Sequence, residues 1–347
     1  EKSALLSALQ KASPISARKS TLPVLSYVLI EAQDGKLVVT ATDLESGIRL
    51  SVPAEIAEPG TVCAPGRTIL QAVSNLADGP VSMALGDNLR MKIEAGNASM
   101  SLACLDAGDF PAWTETDEDT KYITIMAGGL AKTLERVMFA ASSDESRFGL
   151  NGIYFEQEGE TLNIVATDGH RLAFDSLPLN FGEGFTALVP KKNLLEMKKL
   201  LDDHAGDVTI GFNSSNMILR TETLTATARL VSTQYPEYRK VIPQESDIFF
   251  VVNRDTCVSS LKRVAFLLGE RNKGIDFSVS TGSVEFSATH PDLGTASDKF
   301  DVQYDGEPVE AIINGYYLQE ALAAFDCESV RVEKSGSGPF VFRPEPD

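Results

Sequence analysis

Apolar residues recur at two spacings along this chain. Leu5–Ala12 and Leu130–Val137 place them three or four positions apart, which predicts a helix in each segment. Each helix is followed by two runs in which apolar and polar residues alternate, as is typical of β-strands. The predicted strands are Val24–Glu31, Leu37–Ala41, Gly152–Glu156 and Leu162–Ala166. Asp34-Gly35 and Glu158-Gly159-Glu160 are predicted to join them as hairpin turns.

Both segments continue in the same way after these strands. A second helix is predicted over Pro65–Leu76 and over Pro190–Leu201, because proline fits the first turn of a helix. Alternating strands follow each helix: Val81–Leu85, Leu89–Glu94 and Ala98–Cys104 in the first segment, and Val208–Phe212, Met217–Thr221 and Leu224–Leu230 in the second.

The two segments are copies of one another. Asp43 and Asp168 lie 125 positions apart, and each follows an Ala-Thr pair. Two pairs of prolines have the same offset of 125, Pro65 with Pro190 and Pro111 with Pro236. Three landmarks at one offset indicate duplication of a whole domain, since the period is too long for a solenoid unit.

A third copy is predicted to start near Ile248. Its opening helix is Val258–Leu268, and its second helix is Gly315–Phe325. The hairpin between them is predicted over Gly274–Ser280 and Ser283–Ala288, and the closing strands begin at Val330–Glu333. Gly336–Pro339 is typical of a turn, and the copy stops short of its expected last strand.

These patterns predict an α+β fold of three repeated domains over residues 1–116, 117–244 and 245–347. Each domain is expected to pack two helices on antiparallel sheets of about eight short strands in all. A chain of three such domains has free strand edges at both ends, and open edges invite pairing with another copy.

The composition limits the class of protein. At 43% apolar and 23% charged residues the chain is an ordinary soluble protein, and no apolar run approaches the roughly 20 residues of a membrane helix. The four cysteines, Cys63, Cys104, Cys257 and Cys327, are far apart and form no CxxC pair. That distribution argues against zinc and for buried thiols in a reducing cytoplasm, so no cofactor or membrane partner is expected.

The net charge of −18 is unevenly distributed. The six windows that hold the predicted helices carry 16 Lys or Arg and 12 Asp or Glu, a net +4, which leaves −22 for the rest. Lysine on a helix usually just faces water. As a set, however, basic helices in an acidic body indicate weak contact with phosphates that does not depend on base sequence.

Enzymes and nucleic-acid-free scaffolds are the alternative classes. Asp168 and His170 could form an acid–base pair, but the chain has three histidines, no GxSxG, no phosphate loop and no metal-ligand spacing. Asp43 repeats Asp168 without a histidine, which suits a turn better than catalysis. A peptide-binding scaffold without DNA remains open, since the basic helices argue against it only moderately.

Several motifs resemble the bacterial sliding-clamp family, the beta subunits of DNA polymerase III. The resemblance covers nearly the whole chain in order, and its most specific part is Leu150-Asn151-Gly152 together with Val165–Ala173. The other matching motifs are Lys19–Leu25, Thr40–Glu45, Val189-Pro190-Lys191 and Tyr235–Arg239. The resemblance implies a homodimer that closes head to tail into a six-domain ring around double-stranded DNA, with helices lining the hole and no catalysis.

The resemblance also implies a pocket for short apolar peptides of the polymerase III alpha subunit, the clamp-loader delta subunit and other clamp-binding proteins. Its residues would be Leu150, Thr167, Gly169, His170, Arg171, Leu172, Pro236, Lys240, Val241, Asn314 and Tyr317. Leu150, Leu172 and Val241 would form an apolar floor. His170 and Arg171 would supply donors at the rim. Lys240 stands where the family commonly has arginine. The family's C-terminal strand, which normally completes this pocket, is expected to be missing.

Two further surfaces follow from the resemblance. DNA contacts are expected at Arg18, Lys19, Arg147, Phe148, Lys191, Lys192, Lys198 and Lys199. The second-domain contact is weakened by Asp144 and Gly149, which replace residues that are often polar or aromatic. For the ring interface, exposed Met100 and Leu102 on an edge strand would meet exposed Phe266 and Leu267.

Overall fold

The computed structural model describes residues 1–16, 21–113, 120–147, 149–269 and 272–345. Six α-helices lie in these ranges: α1 Lys2–Ala12, α2 Gly66–Ser74, α3 Ala127–Met138, α4 Lys191–Asp202, α5 Arg254–Ala265 and α6 Gly315–Ala323. They fall in three pairs, one pair in each copy predicted from the sequence.

The strands also follow the repeat. The first copy holds β1 Tyr27–Gln33, β2 Lys36–Thr42, β3 Ser46–Pro53, β4 Gly60–Pro65, β5 Ser82–Gly86, β6 Arg90–Ala95 and β7 Ala98–Ala103. The second holds β8 Lys121–Met126, β9 Gly152–Glu158, β10 Thr161–Thr167, β11 Leu172–Leu177, β12 Thr186–Pro190, β13 Asp207–Phe212, β14 Asn216–Arg220 and β15 Leu224–Arg229. The third holds β16 Ile248–Asn253, β17 Gly274–Ser280, β18 Ser283–His290, β19 Gly294–Asp301, β20 Val309–Asn314, β21 Ser329–Lys334 and β22 Phe340–Pro344.

Several element boundaries differ from the prediction. Pro65 and Pro190 precede their helices as N-cap residues and end β4 and β12, with extended ψ angles of 113° and 135°. The strand predicted from Val24 starts at Tyr27, because Pro23–Ser26 forms a short 3₁₀ helix. Helix α5 begins four residues before Val258, where the Asn253 side chain accepts from the Thr256 backbone N–H and caps the first turn.

The chain divides into two compact units. The first contains residues 1–134, 142–165 and 175–234, and the second contains residues 135–141, 166–174 and 235–347. In the first unit an eight-stranded sheet runs in the order β4-β1-β2-β3-β15-β14-β13-β8. Strand β15 of the second copy pairs with β3 of the first, with Ala226 opposite Ile48, so the main-chain ladder continues from one copy into the other.

Four smaller sheets complete the architecture. Their orders are β5-β6-β7, β11-β10-β9-β12, β16-β21-β22 and β19-β18-β17-β20. The core of the second unit is rich in aromatic residues: Phe277 stacks on Phe286 at 5.3 Å and meets Phe340 edge-on at 5.3 Å. Leu261 and Leu322 from α5 and α6 are fully buried in the same cluster.

The cysteines are all free thiols, and three of the four are buried as the composition indicated. Burial raises the pKa of Cys63 to about 11 and that of Cys257 to about 12, so both thiols stay protonated and unreactive. Within the described ranges, no helix has the length and apolar character required to cross a membrane.

Candidate functional site

The segment Thr167–Arg171 is a tight turn held by its own side chains. Thr167 Oγ1 donates to the Arg171 carbonyl at 2.6 Å and accepts from the Gly169 N–H at 3.0 Å. Asp168 Oδ1 accepts from the backbone N–H groups of His170 and Arg171 at 2.9 and 3.0 Å. Gly169 has a φ of 89°, a conformation that glycine adopts without strain.

The first copy builds the same turn from a different sequence. Thr42 Oγ1 donates to the Ser46 carbonyl at 2.7 Å and accepts from the Leu44 N–H at 3.0 Å. Asp43 Oδ1 accepts from the N–H groups of Glu45 and Ser46 at 3.1 and 2.7 Å. The Thr-Asp pair therefore has a structural role in both copies, as the turn interpretation of the sequence expected.

The sequence Ser287-Ala288-Thr289-His290 in the third copy resembles these two motifs, but it does not repeat the turn. Thr289 lies inside β18 and pairs with Thr295 of β19. His290, which follows it, pairs with Gly294 at the end of the same hairpin, and its Nδ1 accepts from the Asp292 N–H at 3.2 Å. The sequence echo at 287–290 is therefore a strand end.

Arg171 connects the second turn to two helical segments. Its Nε donates to Asp168 Oδ2 at 3.2 Å, and its Nη1 donates to Glu320 of α6 at 2.6 Å. Its Nη2 donates to the carbonyl of Phe139, just after α3, at 2.8 Å. The side chain is only 16% exposed. Arg171 was expected to offer donors at a rim; three of its donors are instead engaged within the protein, and the guanidinium acts as a brace.

Aromatic rings enclose the same guanidinium. Its carbon lies 4.1 Å from the ring centroid of Tyr317 and 5.1 Å from that of Phe139, which adds cation–π attraction to the hydrogen bonds. The ring of His170 lies 6.5 Å from the ring of Tyr317. Burial, followed by the nearby Asp168 carboxylate, raises the pKa of Tyr317, so the phenol remains neutral.

Asn314 places Tyr317 by capping α6. Its Oδ1 accepts from the N–H groups of Tyr316 and Tyr317 at 3.1 and 3.4 Å, which fixes the first turn of the helix. Asn314 therefore reaches the site through the backbone of Tyr317, and its side-chain oxygen is already engaged.

An exposed apolar wall lies in the same unit. Val241 is 60% exposed and Phe174 is 47% exposed, while Leu172 is half-buried. The ring of Phe174 stacks on buried Tyr238 with centroids 6.1 Å apart. Pro236 is exposed in the same unit. Lys240 forms an ion pair with Glu237 in its own turn.

Four contributors to this site were missed by the sequence analysis: Phe139, Phe174, Tyr238 and Glu320. Nothing local marks them, because their role depends on which distant residues they meet. Only Tyr238 carried a signal, since it belongs to the Tyr-Pro-Glu-Tyr motif that repeats the first copy.

Leu150 belongs to the other compact unit and is half-buried there. Its carbonyl accepts from the Ser142 N–H at 2.9 Å, and its N–H donates to the Arg147 carbonyl at 2.7 Å. Asp144 shapes this loop through hydrogen bonds from Ser146, which lower the pKa of the Asp144 carboxyl. These hydrogen bonds hold residues 144–147 in a turn, and Arg147 is exposed on it.

The lysines expected to contact DNA are largely paired with carboxylates. On α4, Lys198 binds both oxygens of Asp202 at 3.1 and 2.9 Å and is only 18% exposed. Three of these lysines form ion pairs within the chain: Lys192 with Asp43 at 3.3 Å, Lys198 with Asp202, and Lys199 with Glu196 at 2.8 Å. Lys191 is half-buried at the start of the helix. Arg18, Lys19 and Phe148 lie outside the described residues.

The four residues expected at a ring interface differ in exposure. Met100 and Leu102 lie on β7, an edge strand, and are half-buried. Phe266 is 69% exposed. The expectation that Leu267 is exposed was wrong: it is 2% exposed and belongs to the core of its unit. Helix α5 ends at Ala265, and the Leu267 N–H bonds to the Val264 carbonyl at 3.3 Å. The Leu267 side chain packs in the same core cluster as Leu261 and Val264.

Family models match the chain over almost its entire length. The N-terminal, central and C-terminal domains of the DNA polymerase III beta subunit match residues 1–114, 124–237 and 239–347 in that order. The chain belongs to the DNA polymerase III beta subunit family. This confirms the family and the three-domain α+β fold that the sequence predicted.

Named relatives agree with this assignment. The beta sliding clamp of Vibrio cholerae is 31% identical over 340 residues, which are 96% of this chain and 92% of that protein. The beta sliding clamp of Pseudomonas putida is 32% identical over 343 residues, 97% of this chain and 92% of that protein.

Solved structures give the same result. The DNA polymerase III subunit beta of Pseudomonas aeruginosa superimposes with a TM-score of 0.94 at 30% identity and covers 100% of this chain and 95% of its own. The same bacterium's clamp bound to griselimycin has the same TM-score, identity and coverage. The chain is accordingly a DNA sliding clamp, an accessory processivity factor of DNA replication and not a catalyst.

Proposed function

We propose that this clamp works as a head-to-tail homodimer of six domains that encircles double-stranded DNA. The observation that carries the proposal is the match of three clamp domains, in order, along one chain. Residues 1–116, 117–244 and 245–347 are the proposed domains. Such a ring holds DNA by topology, so it needs neither base contacts nor a catalytic group, and it would act in the cytoplasm.

Two edge strands suit the closing contact. Strand β7 is the last strand of its sheet in the first copy, and β19 is the last strand of its sheet in the third. Pairing an edge strand with another chain satisfies its open backbone groups. Met100 and Leu102 on β7, with exposed Phe266 on the other side, are the proposed apolar contacts, and Leu267 would support Phe266 from the core.

The site around Arg171 is the proposed partner pocket. Exposed Val241 and Phe174, half-buried Leu172 and the ring of Tyr317 offer an apolar surface with few free donors, which suits an apolar peptide better than a charged one. His170, Thr167, Gly169, Pro236, Lys240 and Asn314 are the other residues proposed to shape this surface. Griselimycin binding by the relative from Pseudomonas aeruginosa is consistent with a ligand-binding role for this family.

The proposed peptides come from the polymerase III alpha subunit, the clamp-loader delta subunit and other proteins with clamp-binding motifs. Along the DNA path, Arg18, Lys19, Arg147, Phe148 and the four lysines of α4 are the proposed contacts. Ion pairs within the chain hold three of those lysines, so phosphate would have to compete with carboxylates. Such a lining favours loose contact that permits sliding.

A topology assay tests the encirclement. Clamp loaded onto closed circular DNA is expected to stay bound through gel filtration, and cutting the circle once should release it. Equal retention on circular and linear DNA would contradict encirclement. Nicking without linearising the circle is the control, because it changes the DNA chemistry and leaves the topology closed.

A further inference from the structure

A cleft of about 220 Å³ lies between helices α1 and α4 in the first unit. Strands β3, β13, β14 and β15 and the loops next to them supply the rest of its lining. Most of the lining side chains are aliphatic, among them Ala4, Ala8, Leu50, Leu200 and Leu219. The polar members are Lys11, His204 and four hydroxyl residues, Ser7, Ser51, Thr221 and Thr223.

Lys11 is the cation of this cleft. Among the described residues its ammonium forms no ion pair or hydrogen bond. Asp203, Asp207 and Glu222 lie next to lining residues in the sequence, but they do not line the cleft themselves. Asp202, the last residue of α4, accepts hydrogen bonds from the Lys198 ammonium through both carboxylate oxygens. A free ammonium beside aliphatic groups favours a ligand that is part anion and part apolar.

The repeat provides an internal control for this arrangement. Arg136 on α3 occupies the position of Lys11 on α1, 125 residues later. Asp326 and Asp202 each lie twelve positions after the N-cap of their helices, α6 and α4. Arg136 binds Asp326 at 2.8 Å, so the corresponding cation is neutralised there. Between α1 and α4 the equivalent carboxylate is that of Asp202, which binds Lys198 instead of Lys11. Lys11 is therefore available to a ligand.

We propose that the cleft between α1 and α4 binds one sugar–phosphate unit of the DNA backbone. Lys11 contacts the phosphate, the hydroxyl residues add hydrogen bonds, and the aliphatic side chains pack against the deoxyribose. The proposal rests on the proposed function, in which DNA passes along these helices. It adds that each chain has one such seat, because the matching position at Arg136 is closed by Asp326.

The size and chemistry of the cleft select this occupant. A volume of about 220 Å³ is below the roughly 300 Å³ at which drug-sized ligand pockets begin, so a fragment such as one sugar–phosphate fits better than a whole nucleotide or peptide. One lysine supplies a point charge suited to phosphate and cannot specify a base. The seat therefore reads the backbone and not the sequence.

Lys11→Ala tests the proposal against Lys132→Ala. Lys132 is an exposed lysine of α3 that forms no ion pair among the described residues and does not line the cleft. The two substitutions remove the same charge from matching helices. Binding of the full-length dimer to a fluorescent 30-base-pair duplex is measured by anisotropy across a salt series. Lys11→Ala is expected to weaken binding roughly three- to ten-fold and to reduce the salt slope by about 1.8, the value for two lost phosphate contacts, because the dimer has one such site in each chain. Lys132→Ala should leave the slope unchanged.

Two further arms separate the possible outcomes. Lys11→Arg keeps the charge and should restore the wild-type slope. Equal effects of Lys11→Ala and Lys132→Ala would show a general loss of charge and would overturn the seat. If inorganic phosphate shifts the NMR signal of the Lys11 ammonium while Lys11→Ala leaves DNA binding intact, the site serves free phosphate and the DNA assignment is wrong. Retention of wild-type clamp on circular DNA reports the proposed function separately from all of these.

Discussion

The turns Thr42–Ser46 and Thr167–Arg171 have the same internal hydrogen bonds and different neighbours. In the first copy Ser46 occupies the position that Arg171 has in the second, 125 residues later. Ser46 is buried and has no reach beyond the turn. Arg171 reaches Phe139, Tyr317 and Glu320. The comparison shows that the turn is a scaffold, and that Arg171 is the residue that connects the second turn to its surroundings.

The helix that meets each turn differs in the same way. Asn193 of α4 and Tyr317 of α6 both lie three positions after their N-caps. The buried Asn193 amide donates to the Glu45 carbonyl at 3.1 Å and seals the first turn against its helix. Tyr317 instead places its ring against Arg171, which gives the second turn an aromatic surface.

A third difference concerns the aromatic residue that follows each repeat. Trp113 packs so closely on Gly47 that a Cβ there would lie 2.6 Å from its ring. In the second copy Leu172 replaces Gly47, and Tyr238 replaces Trp113 and stacks on Phe174. The first copy thereby covers its apolar wall, while the second leaves Phe174 and Val241 exposed. This difference explains why a repeated turn offers a partner site only once.

Removing the central cation should have the largest effect. Arg171→Ala removes the guanidinium that Asp168 and Glu320 both bind and is expected to lower the free energy of unfolding by about 2 kcal/mol. Binding of a polymerase-tail peptide should fall at least ten-fold in calorimetric titration. Ser46→Ala is the matched control and should change unfolding by less than about 1 kcal/mol, with peptide affinity unchanged. Equal peptide affinity in wild type and Arg171→Ala would refute the role of Arg171 in holding the peptide site together.

The next largest effect should come from backbone conformation, in which the two turns differ at Gly169 and Leu44. Gly169→Ala puts a side chain at a φ of 89° and is expected to destabilise by about 1–2 kcal/mol. Leu44 already has a φ of 74° in the equivalent position, so Leu44→Asn should be neutral or stabilise by up to about 1 kcal/mol. Urea denaturation of both variants measures this. A Gly169→Ala protein as stable as wild type would show that the second turn adapts freely.

The smallest expected effect distinguishes two ion pairs, Arg171–Glu320 and Arg136–Asp326. Glu320→Ala frees one side of Arg171, so peptide affinity should fall roughly three-fold, although unfolding changes by less than about 1 kcal/mol. Asp326→Ala breaks the 2.8 Å pair with Arg136, which is not the pair that Arg171 makes, and should leave peptide affinity unchanged. If both variants lose affinity equally, the loss reflects general loosening and Glu320 does not position Arg171.

Local chemistry made the turns and most elements predictable from the sequence. The Ala-Thr-Asp motifs carry their own hydrogen-bond partners, and apolar spacing identified all three pairs of helices. Boundaries moved where a cap or proline decided them, as at Pro65 and Asn253. The ion pair between Arg171 and Glu320 could not be predicted, because the two residues are 149 positions apart and no local sequence pattern links them. Leu267 was misplaced for a related reason, since two residues past a helix end the direction of a side chain depends on tertiary packing.

The ladder between β3 and β15 has a consequence for how this molecule is divided. The sequence is modular, with landmarks 125 residues apart, yet five residue pairs bind the edge of one module to the edge of the next. Excising the first module at the sequence boundary would leave two raw strand edges, one on each fragment, and open edges aggregate. The first two copies are therefore separate repeats in the sequence, but they share one continuous sheet in the structure.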